Sequence, residues 1–343
     1  MVTHLPSATL KLDETLTILR VPAPCGDWAD RIVDFMYVKH IEYANSTWHR
    51  DCERAVAGEY VGVSNDVFFL GLLEGEIVAT CYYGTPSDTC DLATFGRVVT
   101  AAQHRRKGIS AALCAAAIED FRASGGWCMH LGTTLTNPAR FIYENLGFRH
   151  YNFVENHGTI MRLVLRGDYD SFEEEYFRPG LQTELRALNA GDLARAELLY
   201  NLPHWFVKDY SLAIYANTPY EGEFYQLRHS VAAGEVGLVL QTVAKRLVGM
   251  AYTARANAGA DVQGHLRVLE FLVHPNYSSD APELIATAAA TSRASRLLAY
   301  SSAVDASRCE ALEEAGFIQE ATLSNCLQDS QSEFDLYIYS LHK

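Results

Sequence analysis

Two repeating patterns of apolar and polar positions run through the first half of the chain. Residues 67–73 and 77–83 are apolar runs on either side of a short glycine turn, which predicts a β-hairpin. Apolar residues recur at helical spacing over 30–43, and a second, shorter helix is expected over 52–60. Further along, the patterns predict strands at 92–99 and 127–133 and helices at 110–122 and 138–145. The predicted order is therefore α-α-β-β-β-α-β-α.

The second half of the chain repeats this pattern. It predicts helices at 190–200, 281–293 and 307–314, a hairpin over 236–253, and strands at 266–273 and 296–302. Residues 143–148 and 312–317 each close a helix with Gly-Phe, and each follows a strand, a helix and a strand in that order. We infer an internal duplication that gives two α/β domains rather than a solenoid.

The stretch between the two halves differs from both of them. Residues 168–182 are rich in Asp and Glu, lack a clear period and contain Pro179-Gly180 near their end. A length of 343 residues also fits two domains better than one. The sequence therefore predicts domains over 1–167 and 183–343, with 168–182 as the linker.

Composition and charge exclude several classes of protein. An apolar fraction of 49% and a charged fraction of 20% are those of a globular chain rather than a disordered one. A formal net charge of −14 argues against nucleic acid and anionic membranes as partners. The eight cysteines show no zinc-like spacing, so we expect no metal. Without an export signal or a long apolar run, the chain is expected to be cytoplasmic.

A basic loop leads from the strand at 92–99 into the helix at 110–122. Residues 104–107 read His-Arg-Arg-Lys, and Gly108 follows them. The free backbone N–H groups and the positive end of a helix dipole favour a phosphate at such a place. The loop has neither the Walker pattern nor Gly-x-Gly-x-x-Gly. The sequence therefore predicts an anion site of another type.

Two motifs around this loop resemble one known family. Residues 105–110, Arg-Arg-Lys-Gly-Ile-Ser, resemble the pyrophosphate loop of the GNAT acyltransferase superfamily, written Arg/Gln-x-x-Gly-x-Gly/Ala. Residues 137–148 resemble its second motif, N-x-x-A-x-x-x-Y-x-x-x-G-F, with Tyr143 at the tyrosine position. Residues 30–165 are similar to the family at the level of these motifs and of the predicted element order.

The sequence departs from the family pattern at three positions. Ser110 and Arg106 stand where the loop usually has a small residue or glycine, and Thr136 stands where the second motif has Asn, with Asn137 one place later. The resemblance implies the α/β (α+β) class with two GNAT-like domains. Each domain is then a mixed, mostly antiparallel central sheet flanked by helices.

The resemblance also implies a cosubstrate, acetyl-CoA or another acyl-CoA, bound by the first domain. Its pyrophosphate is expected on the amides of the 105–110 loop, and its pantetheine arm along the end of the strand at 92–99. The implied cofactor-binding residues are Val98, Val99, Thr100, Arg105, Arg106, Lys107, Gly108, Ile109, Ser110 and Asn137.

The same resemblance implies the catalytic groups. Tyr143 matches the family's tyrosine acid, which protonates the leaving thiolate while backbone donors hold the oxyanion. The strand at 92–99 carries no Asp or Glu as a base, and Asp91 lies only at its edge. Water relayed through Thr94 or His130 is the expected proton acceptor, because histidine titrates near neutral pH. The predicted catalytic residues are Tyr143, His130 and Thr94.

The second domain lacks these features. Its loop at 276–283 has no glycine and no cation, and Asp280 and Pro282 disfavour a phosphate there. Leu312 stands at the tyrosine position. We expect a degenerate copy that walls an acceptor cleft or mediates a homodimer. Aromatic residues that either line such a cleft or pack in a core are Trp205, Phe206, Tyr210, Tyr215 and Tyr220.

These features predict an N-acyltransferase that moves an acetyl group from acetyl-CoA to a primary amine of a small molecule. The amine attacks directly in a ternary complex, and the acidic chain favours a cationic acceptor. One alternative is a GNAT-like malonyl-thioester decarboxylase, or an acyltransferase to an acyl carrier protein, which uses a Thr and a His such as Thr94 and His130. A non-enzyme alternative is a CoA-binding or structural tandem protein.

Overall fold

The computed structural model describes the chain except residues 11–14, 39–45, 155–157, 203–206, 210–213, 216–220, 256–264 and 329–331. The chain divides into two compact units. The first is Met1–Phe172 with Asn189–Leu198 and Pro219–Tyr225, and the second is Glu173–Leu188, Leu199–Thr218 and Gln226–Lys343. The first unit is therefore discontinuous in sequence. The boundaries at 167 and 183 stay a prediction about where the domains end.

The first unit is built on an eight-stranded sheet. Its strands are β1 (Thr3–Thr9), β2 (Thr15–Pro22), β3 (Ser64–Leu73), β4 (Glu76–Pro86), β5 (Leu92–Thr100), β6 (Cys128–Thr134), β7 (Arg149–Val154) and β8 (Gly158–Val164). Their order is β1-β2-β3-β4-β5-β6-β8-β7. Neighbouring strands are antiparallel except β5 and β6, which run parallel.

Helices cover both faces of this sheet. They are α1 (Ala29–Val33) with a π-helical turn at Asp34–Val38, α2 (Thr47–Ala57), α3 (Ile109–Ala123) and α4 (Arg140–Asn145). Leu113 and Phe121 of α3 are buried in one core together with side chains of β3 to β6. Ile32 of α1 and Cys52 of α2 belong to a second core, which contains Phe68 of β3. Because strand side chains alternate, β3 supplies both cores.

Local sequence explains where these helices begin and end. The Ser46 hydroxyl accepts the His49 amide at 3.1 Å, and Gly58 ends α2 in the left-handed region at φ 83°. Gly71 of β3 lies under α3, and a Cβ there would meet the Leu113 Cδ1 atom at 2.8 Å. Glycine in the strand therefore allows α3 to lie close to the sheet.

The second unit has its own seven-stranded sheet. Its strands are β9 (Thr183–Ala187), β12 (Gly237–Thr242), β13 (Leu247–Arg255), β14 (Leu266–Val273), β15 (Arg296–Ser302), β16 (Ile318–Gln328) and β17 (Glu333–His342), and the short strands β10 (Val207–Asp209) and β11 (Ile214–Tyr215) form a separate pair. The sheet order is β16-β17-β15-β14-β13-β12-β9. Again one neighbouring pair, β14 and β15, is parallel.

The remaining helices follow in the later part of the chain. They are α5 (Phe172–Tyr176), α6 (Leu193–Tyr200), α7 (Glu221–Ala232), α8 (Ala281–Thr291) and α9 (Ala306–Glu314). The described part of the chain contains no helix with the length and hydropathy of a membrane span. Two mixed sheets flanked by helices confirm the predicted fold class. The shared strand order is compatible with a duplication.

The inner elements agree with the sequence prediction, whereas the outer strands were missed. The predicted hairpin corresponds to β3 and β4, and the strand at 266–273 agrees with β14 at both ends. The missed strands include β1 and β16, which are mostly exposed. An exposed strand has no buried face, so its sequence lacks the alternation on which the prediction relies.

Several predicted helices differ from the structure at their ends, and three of them illustrate the reasons. The helix expected over 30–43 is α1 followed by the π-helical turn, and residues 39–43 lie outside the described part. The helix expected at 52–60 begins instead at Thr47, because Ser46 caps it. The helix expected from 138 begins at Arg140. Residues 172 and 176, inside the predicted linker, are fully buried aromatic side chains of α5.

Candidate functional site

Strands β5 and β6 pair at their beginnings and then diverge. Their parallel register joins Leu92 with Cys128, Ala93 with Met129, and Thr94 with His130. Beyond these pairs β5 continues along β4 as far as Thr100, and β6 continues along β8. A cleft therefore opens between the carboxyl ends of β5 and β6. We call it the first cleft.

A β-bulge turns β5 away from β6. The β4–β5 register shifts between Thr80 and Tyr82, and Arg97 has a positive φ of 51°. The Thr80 hydroxyl donates to the Arg97 carbonyl at 3.0 Å and holds the bulge. Bulges of this kind are common beside functional sites, because they redirect a strand and leave backbone groups unpaired on one side.

The basic loop lies at the end of β5 and opens α3. Arg106 and Gly108 have positive φ angles of 66° and 92°, and Gly108 caps α3 without a side-chain hydrogen bond. The first amides of α3 have no acceptor within the helix itself. The Thr100 and Ser110 hydroxyl groups share a hydrogen bond of 2.6 Å, which ties the strand end to the helix start. The loop thus presents backbone donors at the mouth of the first cleft.

Two predicted cofactor residues have defined roles in this local structure. The Arg105 Nε atom donates to the Thr100 carbonyl at 3.1 Å, while the arginine side chain stays exposed. Asn137 accepts the Ala139 amide at 3.0 Å and donates to the Thr133 hydroxyl at 3.3 Å. Asn137 therefore holds the turn before α4 with both ends of its amide.

Tyr143 lies on the α3 face of the sheet, beside the first cleft. It is 7% exposed and packs edge-on against Phe95 of β5 and against Phe148. Burial raises the pKa of Tyr143 well above its ordinary value, and nearby Cys114 and Cys81 add to this effect. The phenol therefore stays protonated at neutral pH and is available as a donor.

Thr94 and His130 lie opposite each other where β5 and β6 diverge. Strand alternation places them on the sheet face away from Tyr143, since Ala93 and Phe95 face α3. His130 is 2% exposed, and its Nδ1 atom has no hydrogen-bond partner among the described residues. The structure brings Thr94 and His130 together, and it separates both from Tyr143 by the thickness of the sheet.

His130 is poorly suited to hold a proton. Burial lowers its pKa well below the ordinary histidine value, and the charge of Arg162 lowers it further. Its Nε2 atom lies 3.6 Å from the Cys128 sulfur. The histidine that the sequence suggested as a proton relay is therefore neutral.

Two glutamates near Thr94 were missed by sequence reasoning. The Thr94 hydroxyl donates to Glu197 Oε2 at 2.5 Å, and Glu197 is 6% exposed. Glu221 Oε1 accepts the Tyr225 hydroxyl at 2.7 Å. Both glutamates belong to the first unit, in Asn189–Leu198 and Pro219–Tyr225. They follow Thr94 by more than a hundred residues, so no local spacing reveals them.

Arg97 joins these groups into one polar network. Its Nη2 atom donates to Asp51 at 2.9 Å and to the Tyr225 hydroxyl at 3.4 Å, and its Nη1 atom donates to the Tyr37 hydroxyl at 3.3 Å. The guanidinium lies over the Tyr82 ring at 4.8 Å. A buried cation in the diverging part of β5 thus organises the sheet face away from Tyr143.

The second unit has a corresponding gap, which we call the second cleft. Strands β14 and β15 pair from Leu266 to Val268 and then diverge. Arg308 of α9 donates to the Tyr300 carbonyl at 2.8 Å and to the Phe271 carbonyl at 2.6 Å. It also pairs with Glu270 at 2.9 Å. The Arg308 side chain therefore bridges the two strands across the second cleft.

The structure describes some of the other residues that were singled out in the second half of the chain and omits the rest. Leu312 is fully buried. Residues 275–280 form a short 3₁₀-helix before α8, and Pro282 stands in the first turn of α8. Trp205, Phe206, Tyr210 and Tyr220 lie outside the described residues, as does the side chain of Tyr215.

A comparison with models of known protein families finds a match over the part of the chain that contains the first cleft. The model of the acetyltransferase (GNAT) domain matches residues 64–150, from β3 into β7. This match confirms the GNAT resemblance for that segment, which contains the first cleft, the loop and Tyr143. The segment is similar in sequence to the acetyltransferase (GNAT) domain. No curated protein matches the chain in sequence.

Solved structures similar to this chain are acetyltransferases of low identity. The spermidine N-acetyltransferase from Vibrio cholerae, in complex with CoA and spermine, is 20% identical over 47% of this chain and 95% of its own, with a TM-score of 0.38. The ribosomal-protein-alanine N-acetyltransferase from Brucella melitensis is 19% identical over 47% and 99%, with a TM-score of 0.39. The phosphinothricin acetyltransferase from Sinorhizobium meliloti, in complex with AcCoA, is 16% identical over 47% and 88%, with a TM-score of 0.41.

Proposed function

We propose that the protein is an acyl-CoA-dependent N-acyltransferase that moves an acetyl group from acetyl-CoA to a primary amine of a small molecule. One observation carries the proposal. The first cleft ends at a loop of helix-start amides, and both lie within the segment 64–150 that matches the GNAT domain. The acidic charge of the chain favours a cationic acceptor.

The loop supplies what a pyrophosphate needs. The amides from Arg106 to Ser110 point out of a helix start, where the dipole is positive, and Arg105 and Arg106 are exposed beside them. The backbone edge of Val98 to Thr100, which faces the first cleft, is a partner for the amides of a pantetheine arm. These residues would hold the cosubstrate with its thioester in the first cleft.

A thioester in the first cleft is accessible from both faces of the sheet. Tyr143, on the α3 face, donates its proton to the leaving thiolate. Backbone donors at the diverging strands stabilise the oxyanion of the tetrahedral intermediate. The amine approaches from the face of Thr94. The separation of Tyr143 from Thr94 therefore suits a reaction in which the leaving group and the nucleophile lie on opposite sides.

The second unit is proposed to bind no acyl-CoA. Arg308 takes the carbonyl groups of Phe271 and Tyr300 that would otherwise pair with a pantetheine. The helix start at α8 has Pro282, which lacks an N–H, and Glu283 in its first turn. One cosubstrate molecule per chain follows, bound in the first unit. The second unit then acts as a structural part of the protein or in a homodimer.

The direct test is calorimetric titration with acetyl-CoA, combined with an amine panel of polyamines, amino sugars and amino acids. Gly108→Glu should abolish acetyl-CoA binding, since its carboxylate would face the pyrophosphate. Gly125→Glu is the matched control, because Gly125 is also exposed and has a φ of +87° with no atom within 4 Å of its Cβ position. Equal affinity of the two variants would overturn the loop assignment.

Three other functions give different results in the same kind of experiment. A decarboxylase that uses Thr94 and His130 would release CO₂ from malonyl-CoA and leave every amine unmodified. A transferase to a carrier protein would acylate an acyl carrier protein instead of the amines. A CoA-binding protein without activity would bind acetyl-CoA and modify nothing. Acetylation of an amine, lost in Gly108→Glu and kept in Gly125→Glu, supports the proposal.

A further inference from the structure

The sheet face around Thr94 carries a carboxyl group that the reaction needs and that the sequence did not identify. We infer that Glu221 is the general base that takes the proton from the incoming ammonium group. The inference rests on the proposed N-acyltransferase function, for which Tyr143 is the acid on the other face. Glu221 belongs to the same unit as the first cleft.

The other acidic groups of this network are already committed to partners. Both carboxylate oxygens of Asp51 are used, since one accepts the Tyr60 hydroxyl at 2.9 Å and the other accepts Arg97. Asp66 accepts the Tyr82 hydroxyl at 2.6 Å. Glu197 is almost fully buried beneath Thr94. Glu221 is the least buried of these four acidic residues, and its described partner is the Tyr225 hydroxyl.

Burial and neighbouring groups shift the pKa of Glu221 in opposite directions. Burial raises the pKa of Glu221 to about 7, while the Tyr225 hydrogen bond and the Arg97 charge lower it and the Asp51 charge raises it. Burial and the charge of Glu221 raise the pKa of Glu197, against the Thr94 hydrogen bond. A base with a pKa near the working pH accepts a proton and releases it again readily.

Further titratable groups lie in the same network. They are Tyr37 in the π-helical turn, Cys52 on α2, and Asp66 and Tyr82 on β3 and β4. Burial raises the pKa of each one, with Arg97 or a hydrogen bond as the main opposing influence. Arg97 is the cation that faces them all.

The reaction balances with these two groups. Glu221 takes one proton from the ammonium group, and the neutral nitrogen forms the N–C bond to the thioester carbonyl. The C–S bond breaks, and the sulfur takes the Tyr143 proton. The nitrogen gives up its second proton as the amide forms, and this proton replaces the one that Tyr143 donated. The proton on Glu221 leaves to solvent. One ammonium and one thioester become one amide, one thiol and one released proton.

The test is the pH profile of kcat with acetyl-CoA and the best amine of the panel. The wild type should lose activity below an apparent pKa of about 7, because Glu221 is then protonated. Glu221→Gln should lower kcat by about 10²–10⁴-fold. It should also remove the loss of activity at low pH, which is the acid limb of the profile. Its affinity for acetyl-CoA should stay unchanged. Glu119→Gln, an exposed glutamate on α3, is the control and should behave as the wild type.

A second variant tests the same group without removing it. Tyr225→Phe deletes the hydrogen bond that lowers the pKa of Glu221, so the acid limb of the pH profile should move to higher pH. A purely structural role of Tyr225 would leave the limb in place.

The outcomes separate the two proposals. If the wild type acetylates an amine but Glu221→Gln keeps its rate and its acid limb, Glu221 is not the base and the proposed function stands. If the wild type binds no acyl-CoA, or binds it and acetylates no amine, the proposed function fails and the base assignment falls with it. Loss of the limb in Glu221→Gln together with its upward shift in Tyr225→Phe supports the inference.

Discussion

The two clefts have the same backbone plan and different contents. Each opens where a parallel pair of central strands separates after three residue pairs, β5 from β6 and β14 from β15. In the first cleft the following helix supplies Tyr143, which leaves the strand edges available. In the second cleft the following helix supplies Arg308, which hydrogen-bonds to both strands. In the second unit, one side chain therefore ties the two diverging strands together.

The two clefts also differ in how their backbone groups affect the free energy of folding. Unpaired backbone groups in a sheet cost free energy unless water or a ligand satisfies them. Arg308 satisfies such groups in the second cleft, and Glu270 compensates its charge. A buried pair of this kind contributes little net stability as a whole, but the loss of one partner is costly. The second cleft should therefore be sensitive to mutation and indifferent to acyl-CoA.

The largest effect is expected from Arg308→Met. It leaves Glu270 buried without its cation and should lower the free energy of unfolding by about 3–5 kcal/mol in urea titrations. Arg296→Met is the matched control, since Arg296 pairs with Glu320 at the surface and should cost at most about 1 kcal/mol. If the two variants cost the same, the bridge across the second cleft is not a stabilising feature.

Calorimetry with Arg308→Met also tests whether the second cleft can bind acetyl-CoA. Arg308→Met should still bind one acetyl-CoA per chain, because the helix start at α8 lacks the donors that α3 provides. A second binding event in this variant would show that Arg308 alone closes the second cleft and that Pro282 at the start of α8 does not prevent binding.

A smaller effect is expected from Tyr143→Phe. It keeps the packing against Phe95 and removes the proton donor, so kcat should fall about 10²-fold while acetyl-CoA affinity stays within about threefold. Tyr337→Phe in the second unit is the control. An unchanged kcat in Tyr143→Phe would make this tyrosine a packing residue, the counterpart of Leu312.

The smallest effect is expected from Ser110→Ala. It deletes the hydrogen bond with Thr100 that ties β5 to α3, which should cost about 1 kcal/mol of stability. Acetyl-CoA affinity should fall several-fold, because the loop amides are held less firmly. Thermal shift with and without acetyl-CoA measures both quantities. A loss of stability without any loss of affinity would show that the Thr100–Ser110 hydrogen bond does not position the loop amides for acetyl-CoA.

The sequence predicts the centre of each sheet better than its surroundings. β3, β4 and β14 are continuous apolar runs because both of their faces are covered, and such runs are readable without a structure. The basic loop is readable because glycine and clustered cations stand next to a helix start. β1 and β16 are exposed, and they give no such signal.

The polar network around Arg97 shows most clearly what the sequence alone does not predict. Asp51 and Arg97 are 46 positions apart, and Thr94 and Glu197 are 103 apart. Their pairing depends on how helices lie across the sheet, which periodicity does not contain. Sequence reasoning therefore sought the base on β5 itself and found only Thr94 and the neighbouring His130. The carboxyl groups of Glu197 and Glu221 come from segments that a boundary at 183 assigns to the other domain.

The discontinuous first unit has a consequence for truncation of the chain. Trp48 packs edge-on against Tyr225 at 5.4 Å, and Glu197 accepts the Thr94 hydroxyl, so the first unit includes pieces that follow residue 188 in the sequence. A stop codon at residue 168 would remove those pieces from an otherwise complete sheet. A chain shortened in this way would retain strands β1 to β8 and lose Glu197 and Glu221.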